Sequence, residues 1–128
     1  MKLSIVFVLM ALSLNIYAED AAKYFKVNCK SCHSIGDGDV VGPDLAGLSK
    51  RRKIDWVVKF INYPEGMISG DKDEPGYEKA DPLAKKVYDL YKPTMMTEIS
   101  IDKKMVKSLF EYIDSLKKEP KGKITKLK

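Results

Sequence analysis

Cys29, Cys32 and His33 are the residues of this chain best suited to metal or redox chemistry. The stretch NCKSCH, residues 28–33, contains both cysteines and the only histidine of the 128-residue sequence. Thiolate and imidazole groups are the side chains that bind softer transition metals. Because all of them fall within five consecutive positions, the sequence indicates one local site.

A motif of two cysteines and a histidine is compatible with three kinds of chemistry. A structural zinc site needs four ligands, and the motif offers three that are crowded too closely to surround one ion. A thioredoxin-like thiol pair stands beside a βαβ pattern, and no such alternation is visible in the sequence. The C-x-x-C-H spacing also marks c-type haem attachment. There, two thioethers hold one edge of the porphyrin and the adjacent histidine binds the iron. The third interpretation is favoured, because a chance match is unlikely in a chain that has no other Cys or His.

The N-terminus has the pattern of a secretory signal peptide. Lys2 precedes an almost wholly apolar run over residues 3–16, and Ala18 stands just before Glu19 and Asp20. A positive start, an apolar stretch and a small residue at the cleavage point are the parts of such a leader. The run is shorter than the roughly 20 residues of a membrane span. We therefore expect cleavage after Ala18, and no transmembrane span after cleavage.

Length and composition predict one small domain and a basic tail. After the leader, residues 1–18, about 110 residues remain, near the usual size of one domain. We expect a domain over residues 19–118. Residues 119–128 are rich in lysine, and a charged segment with few apolar residues is predicted to be flexible.

The positive charge of the chain belongs mainly to its C-terminal end. The full sequence has a formal net charge of +5, and residues 117–128 alone hold six Lys and one Glu. Once Lys2 is removed with the leader, the net charge that remains for residues 19–116 is therefore slightly negative. Such a tail can dock on an acidic partner or an anionic membrane face, or it can simply keep the protein in solution. Nucleic acid is not expected as a partner of an exported protein.

Four helices are predicted from N-cap residues and from apolar residues at helical spacing. In chain order they cover residues 21–32, 56–62, 82–91 and 103–116. Asp55, Asp81 and Asp102 are the expected N-caps of the last three. The intervening segments are rich in Gly, Asp and Pro and are predicted to be loops, residues 65–79 among them.

With these features in place, the sequence resembles the class I cytochrome c family over nearly the whole chain after residue 18. The matching stretches are, in order, AAKYFKVNCKSCHSIG, VVGPDLAGL, IDWVVKFINYP and MMTEISIDKKMVKSLFEYIDSL. The resemblance implies an all-α, cytochrome c-like fold of about four helices with long loops around one covalent haem c. It also implies that Cys29 and Cys32 carry the haem and that His33 binds the iron.

A bound haem would also account for the long loops. Extended irregular loops are unusual in a small domain, but they can pack against the faces of a large apolar disc. We therefore expect the chain without haem to be poorly folded. By the resemblance, Phe25 and Tyr112 should meet where the first helix contacts the last.

Met96 is the expected second ligand of the iron. No other histidine exists, and the methionines after the leader are Met67, Met95, Met96 and Met105. Met105 falls on the apolar stripe of the last helix and is assigned to the core. In the family the ligand methionine lies shortly before the N-cap of the last helix, as Met96 lies before Asp102. Thr97 stands where the family usually has proline, so Met95 stays an alternative, followed by Met67 or an open site.

The resemblance assigns further residues to the surroundings of the haem. Pro43 should accept the imidazole N–H through its carbonyl, and Leu45 should pack on the haem. Trp56 should donate its indole N–H to a propionate. One of the two neighbouring arginines, Arg51 or Arg52, can pair with a propionate.

Histidine and methionine ligation would fill both axial positions of the iron, and a thioether favours the ferrous state. We therefore expect a monomeric, periplasmic monohaem cytochrome c that carries single electrons between transient redox partner proteins and is not an enzyme. Two alternatives stay open. One is a dedicated subunit through which electrons enter a larger complex. The other is an open-site haem protein that binds a gas or a small substrate.

Overall fold

The computed structural model describes residues 19–127, and all regular secondary structure in this range is helical. Within the described residues, helix α1 covers residues 19–28. It is followed by α2 (Leu48–Arg51), α3 (Ile54–Asn62), α4 (Pro64–Ser69), α5 (Pro82–Tyr91), α6 (Lys103–Ser115) and a 3-10 helix (Lys123–Lys126). The predicted all-α fold is confirmed. The predicted signal peptide lies outside the described residues.

The main core forms where α1, α3 and α6 meet. Its buried members are Ala21, Phe25, Ile35, Ala46, Val57, Ile101, Val106, Leu109 and Ile113. The expected contact between the first and last helices is present, because the rings of Phe25 and Tyr112 lie 6.1 Å apart. Ala21 is completely buried beside them. From residue 19 to residue 127, no helix has the length and apolar character needed to cross a membrane.

Two of the three predicted helix caps are confirmed. The Asp81 carboxylate accepts hydrogen bonds from the first backbone N–H groups of α5, and Pro82 occupies the first turn. The Asp102 carboxylate accepts the N–H of Met105 in α6. Both residues satisfy backbone donors that have no partner within the helix.

The third predicted cap, Asp55, is wrong. Helix α3 begins one residue earlier, at Ile54, and its N-cap Lys53 makes no hydrogen bond through its side chain. Asp55 lies in the first turn, where a carboxylate still favours the positive end of the helix dipole. Its carboxylate pairs at the surface with Lys103 of α6, at 2.7 Å.

The predicted loop over residues 65–79 is wrong in its first part. Pro64 ends α3 but also begins α4, because its fixed φ suits the first turn of a helix. Met67 and Ile68 of α4 are buried against Ala84 of α5 in a second, smaller core. A proline that ends one helix can therefore begin the next.

The C-terminal segment also differs from its prediction as a flexible tail. Ile124 is 3% exposed, and the 3-10 helix around it contacts α5. Backbone N–H groups of Lys121 and Lys123 donate to the carboxylates of Asp44 and Asp39. The segment docks because one apolar side chain and several backbone donors find partners that sequence composition does not reveal.

Candidate functional site

A cavity of about 460 Å³ lies between the helices and the long loops. Its volume falls in the range of about 300 to 1,000 Å³ that is usual for cofactor and ligand sites. Apolar side chains from all parts of the fold line it, among them Phe25, Leu45, Trp56, Val57, Phe60, Ile61, Ile68, Val87, Val106, Leu109, Phe110, Ile113 and Ile124. The cavity therefore suits a large, mostly apolar group.

The Cys-His motif forms one wall of this cavity. Helix α1 ends at residue 28 and not at residue 32 as predicted, and residues 29–32 form turns. The N–H of Cys29 donates to Phe25 O, and the N–H of His33 donates to Cys29 O, each at 2.9 Å. This tight turn brings Cys29, Cys32 and His33 to the cavity together.

The His33 imidazole is oriented by the loop that follows the motif. Its Nδ1 lies 2.8 Å from the carbonyl oxygen of Pro43, which is the contact expected from the sequence. Because a carbonyl can only accept, Nδ1 carries the proton and Nε2 keeps its lone pair. Burial lowers the pKa of His33, and the Pro43 hydrogen bond opposes this only in part. The neutral ring is the form that binds a metal.

Gly42 allows this close packing. A Cβ added to Gly42 would lie 2.7 Å from Cε1 of His33, which is too close for any side chain. Gly42 also donates its N–H to Cys32 O, at 2.8 Å. Because Gly42 has no side chain, the loop packs directly against the imidazole ring of His33 and fixes the orientation of the ring.

The methionine-bearing loop, residues 92–102, also lines the cavity. Met95 and Met96 both contribute to the lining. Met96 is half-buried, whereas 37% of Met95 is exposed. Met67 is instead buried in the second core, and Met105 packs against the main core as predicted. The structure thus places Met95 and Met96 at the cavity. Met67 lies elsewhere and is excluded as a candidate ligand.

Two arginines at the cavity have buried nitrogen atoms without a hydrogen-bond partner. These atoms are Nε of Arg51 and Nη2 of Arg52, and burial lowers the pKa of both guanidinium groups. A buried donor that lacks an acceptor costs free energy. An anionic group in the cavity would supply acceptors, as the propionates of a haem would. The apolar walls, the two cysteines and these donors therefore fit haem c.

The alternatives for the motif fit the structure less well. Burial, with a smaller contribution from Cys32, raises the pKa of the Cys29 thiol to about 11. Reactive thiols in redox enzymes have lowered pKa values, because the thiolate is the nucleophile. No group of three or more His, Cys, Asp or Glu side chains within residues 19–127 is arranged to hold a metal ion.

Comparison with known proteins decides among these chemistries. The family model described as Cytochrome c matches residues 18–117. The chain belongs to the cytochrome c family. Its cofactor is one haem c, attached through Cys29 and Cys32, with His33 in the ligand position of the motif.

Solved structures agree with this assignment at the level of the fold. A cytochrome c from Rhodothermus marinus has a TM-score of 0.62 and 24% identity, over 80% of this chain and 78% of that chain. The cytochrome c domain of the pp3183 protein from Pseudomonas putida has a TM-score of 0.55 and 24% identity. That match covers 74% of this chain and 85% of the other. No curated protein matches the sequence significantly.

In this cytochrome c, Asn62 holds the methionine-bearing loop. Its Nδ2 donates to Ile101 O at 2.8 Å, and its Oδ1 accepts the N–H of Ile101 at 3.2 Å. The N–H of Ile99 also donates to Ile61 O, at 3.0 Å. The end of α3 therefore fixes the loop just after Met96. The sequence analysis missed Asn62, since nothing local marks a helical asparagine as a tether.

Leu45 and Trp56 line the cavity, and their expected contacts with the haem and with a propionate stay predictions. The indole N–H of Trp56 donates to Oδ1 of Asp81 at 3.2 Å. Asp81 takes the donor because its carboxylate, the N-cap of α5, stands beside the ring. Trp56 also stacks on Phe60, with ring centroids 5.1 Å apart. The guanidinium carbon of Arg52 lies 5.7 Å from the centre of the indole.

Asp44 is a supporting residue that the sequence analysis missed. It is completely buried, and it accepts four backbone N–H groups, from Gly36, Gly38, Ala46 and Lys121, at 2.7–3.1 Å. Burial raises the pKa of this carboxyl, but the four hydrogen bonds outweigh it and the net pKa is lowered. Asp44 therefore stays ionised and ties together the loop that also contains Pro43.

Proposed function

We propose that this cytochrome c carries single electrons between redox partner proteins, with His33 and Met96 as the two axial ligands of its iron. The observation that supports the proposal is the shared cavity, which is lined by His33 and by the methionine-bearing loop. The cytochrome c family is generally a family of electron-transfer proteins. Bound haem c supplies a reversible one-electron iron couple.

The residues around the cavity suit electron transfer better than substrate chemistry. Pro43 holds the imidazole in one tautomer, and Asn62 holds the loop of Met96. A soft thioether from Met96 would stabilise the reduced state of bound haem and would leave no position for a substrate. Rigid ligands on both sides also keep the structural change between oxidation states small, which favours rapid exchange of electrons.

The mouth of the cavity offers a surface for partner proteins. Val27, Val41 and Met95 line the cavity, yet they are 71%, 45% and 37% exposed. Lys26 and Lys30 lie exposed beside Val27. We infer that partners dock here with an apolar patch surrounded by acidic side chains. Such contacts are weak and transient and are steered by charge.

We also propose that the protein works as a monomer in a periplasm. The N-terminal leader pattern supports export, and members of the family are typically exported. Covalent attachment suits this location because it prevents loss of the haem outside the cytoplasm.

A spectroelectrochemical titration of the purified holoprotein tests the electron-carrier proposal. We expect one reversible transition that follows the Nernst relation for a single electron, with the same spectra in both directions. An irreversible change of spectrum on reduction would contradict the proposal, because a carrier must return unchanged to its starting state.

The docking surface is tested at an electrode coated with a carboxylate-terminated monolayer, which stands in for an acidic partner. We expect fast electron exchange that slows as salt is added. A Lys26→Ala and Lys30→Ala double variant should exchange electrons more slowly. Lys72→Ala with Lys85→Ala is the matched control, since both lysines are exposed and, unlike Lys26 and Lys30, neither is adjacent in sequence to a residue that lines the cavity. Equal slowing in the two double variants would contradict the assigned surface.

A further inference from the structure

The haem cavity has a wall that lies outside the matched family domain. The family match ends at residue 117, yet Ile124 lines the cavity and is only 3% exposed. Other described residues beyond residue 117 are mostly polar and exposed. One apolar side chain of this segment therefore reaches the cofactor site.

Backbone hydrogen bonds to two carboxylates hold the segment in place. The N–H of Lys121 donates to Oδ2 of Asp44 at 3.1 Å, and the N–H of Lys123 donates to Oδ2 of Asp39 at 2.9 Å. Asp44 and Asp39 belong to the loop between the Cys-His motif and α2. The segment is therefore joined to the same loop that orients His33.

Side chains join the segment to α5 as well. Nζ of Lys123 donates to Leu90 O at 3.2 Å and lies 5.4 Å from the centre of the Tyr91 ring. The Tyr91 hydroxyl in turn donates to Asp39, at 2.8 Å. Loop, helix and C-terminal segment thus share one network at the edge of the cavity.

Gly122 lets the chain pass close to this network. Its φ of +87° lies in the region that side chains disfavour. A Cβ there would stand 2.5 Å from the carboxylate atoms of Asp39. A substitution at Gly122 should therefore release the segment without altering charge or the lining of the cavity.

We propose that residues 118–127 form an additional wall of the haem site, in which Ile124 excludes water from one edge of the cofactor and thereby sets its reduction potential. Ferric haem carries one more positive charge than ferrous haem, and removal of water disfavours the more highly charged state. Ile124 therefore raises the potential. The inference depends on bound haem c but not on the electron-carrier role, because the potential is a property of the isolated holoprotein.

The test compares reduction potentials of the holoprotein variants Ile124→Ala and Gly122→Ala. We expect both potentials to fall below that of the wild type. Leu116→Ala is the matched control, because Leu116 is apolar, 40% exposed and outside the cavity lining, and its potential should not change. Ile124→Ala removes the lining side chain, and Gly122→Ala displaces the segment. If both lower the potential, the cause is the loss of the wall and not a local effect of one substitution.

Hydrogen exchange gives a second readout on the same proteins. In the wild type, the amides of Lys121 and Lys123 should exchange slowly, and in Gly122→Ala they should exchange about tenfold faster or more. Wild-type potentials in both variants would overturn the proposal. Rapid exchange of both amides in the wild type would overturn it as well, because the segment would then not be docked.

Discussion

At the scale of single residues, the site depends on side chains whose partners lie in the backbone. His33 is held by one carbonyl, and Asp44 is held by four N–H groups. Backbone partners cannot move as readily as side chains, so they fix an imidazole or a carboxylate in one direction. The sequence indicated the first of these contacts through a family resemblance. It could not indicate the second, because the donors are spread from Gly36 to Lys121.

Asp44→Asn should lower the free energy of unfolding at pH 7 by about 2 kcal/mol or more, since an amide N–H₂ would face backbone donors. In the folded protein the pKa of Asp44 is lowered. In the unfolded chain it lies near the ordinary value for aspartate, about 3.9. The stabilisation is therefore present above the unfolded pKa and is lost as pH falls through the folded pKa. Denaturant unfolding of the holoprotein at pH 7 and at a pH below the folded pKa measures this change in stability.

The exposed Asp55 provides the control for this experiment. Its surface ion pair with Lys103 should be worth little, so Asp55→Asn should change stability by about 0.5 kcal/mol or less. The difference in the free energy of unfolding between wild type and Asp44→Asn should become smaller in acid. If it did not, the ionised carboxylate would not be the source of the stability.

Met96→Ala and Met95→Ala distinguish the two candidate ligands. A thioether bound to ferric haem gives a weak absorption band in the far red. We expect Met96→Ala to abolish this band, because it removes the half-buried sulfur. Met95→Ala should retain the band. The opposite pattern in the two ferric spectra would transfer the ligand role to Met95.

At the scale of elements, local signals predicted some helices and missed others. Asp81 with Pro82, and Asp102 before an apolar stripe, each carry both a cap and a periodic pattern, and both helices begin where predicted. Helix α4 cannot be predicted in this way, because a proline after an apolar helix indicates the end of that helix and not the start of another. Docking of the C-terminal segment was missed because Ile124 has no apolar neighbours in sequence, and its burial arises only from the assembled fold.

Asn62→Ala should loosen the loop that contains Met96, because both hydrogen bonds to Ile101 would be lost. We expect ferrous Asn62→Ala to bind carbon monoxide about tenfold faster than the wild type, if each hydrogen bond contributes its usual share. The slow change of the ferrous spectrum after mixing with carbon monoxide measures this rate, since the wild type is expected not to react during the mixing itself. Ser115→Ala, which removes one exposed hydrogen bond in α6, should bind at the wild-type rate. Equal rates in all three proteins would show that Asn62 does not restrain the ligand loop.

At the scale of the whole molecule, the haem completes a core that the side chains form only in part. The cavity of about 460 Å³ is lined by residues of α1 to α6, of the 3-10 helix and of three connecting segments. Protein interiors are close-packed, so a large apolar cavity at the centre of a small domain leaves the chain short of core contacts until the haem fills it. Sequence composition anticipated this arrangement through the long loops, which have too few apolar residues to form a core by themselves.

A double variant, Cys29→Ser with Cys32→Ser, tests this dependence on the haem. Without thioether attachment we expect a large loss of helical circular dichroism and no cooperative thermal transition, because the chain cannot fill its own interior. The wild-type holoprotein is the reference. Wild-type helicity and a sharp transition in the double variant would contradict the view that the haem is part of the core.

The visible spectrum of the reduced holoprotein with and without carbon monoxide tests the central claim most directly. If Met96 fills the second axial position, carbon monoxide should leave the ferrous spectrum unchanged on the timescale of mixing. Rapid formation of the carbon monoxide complex would contradict that claim. The iron would then have an open or labile position, and a role in binding a gas or small substrate would replace electron transfer.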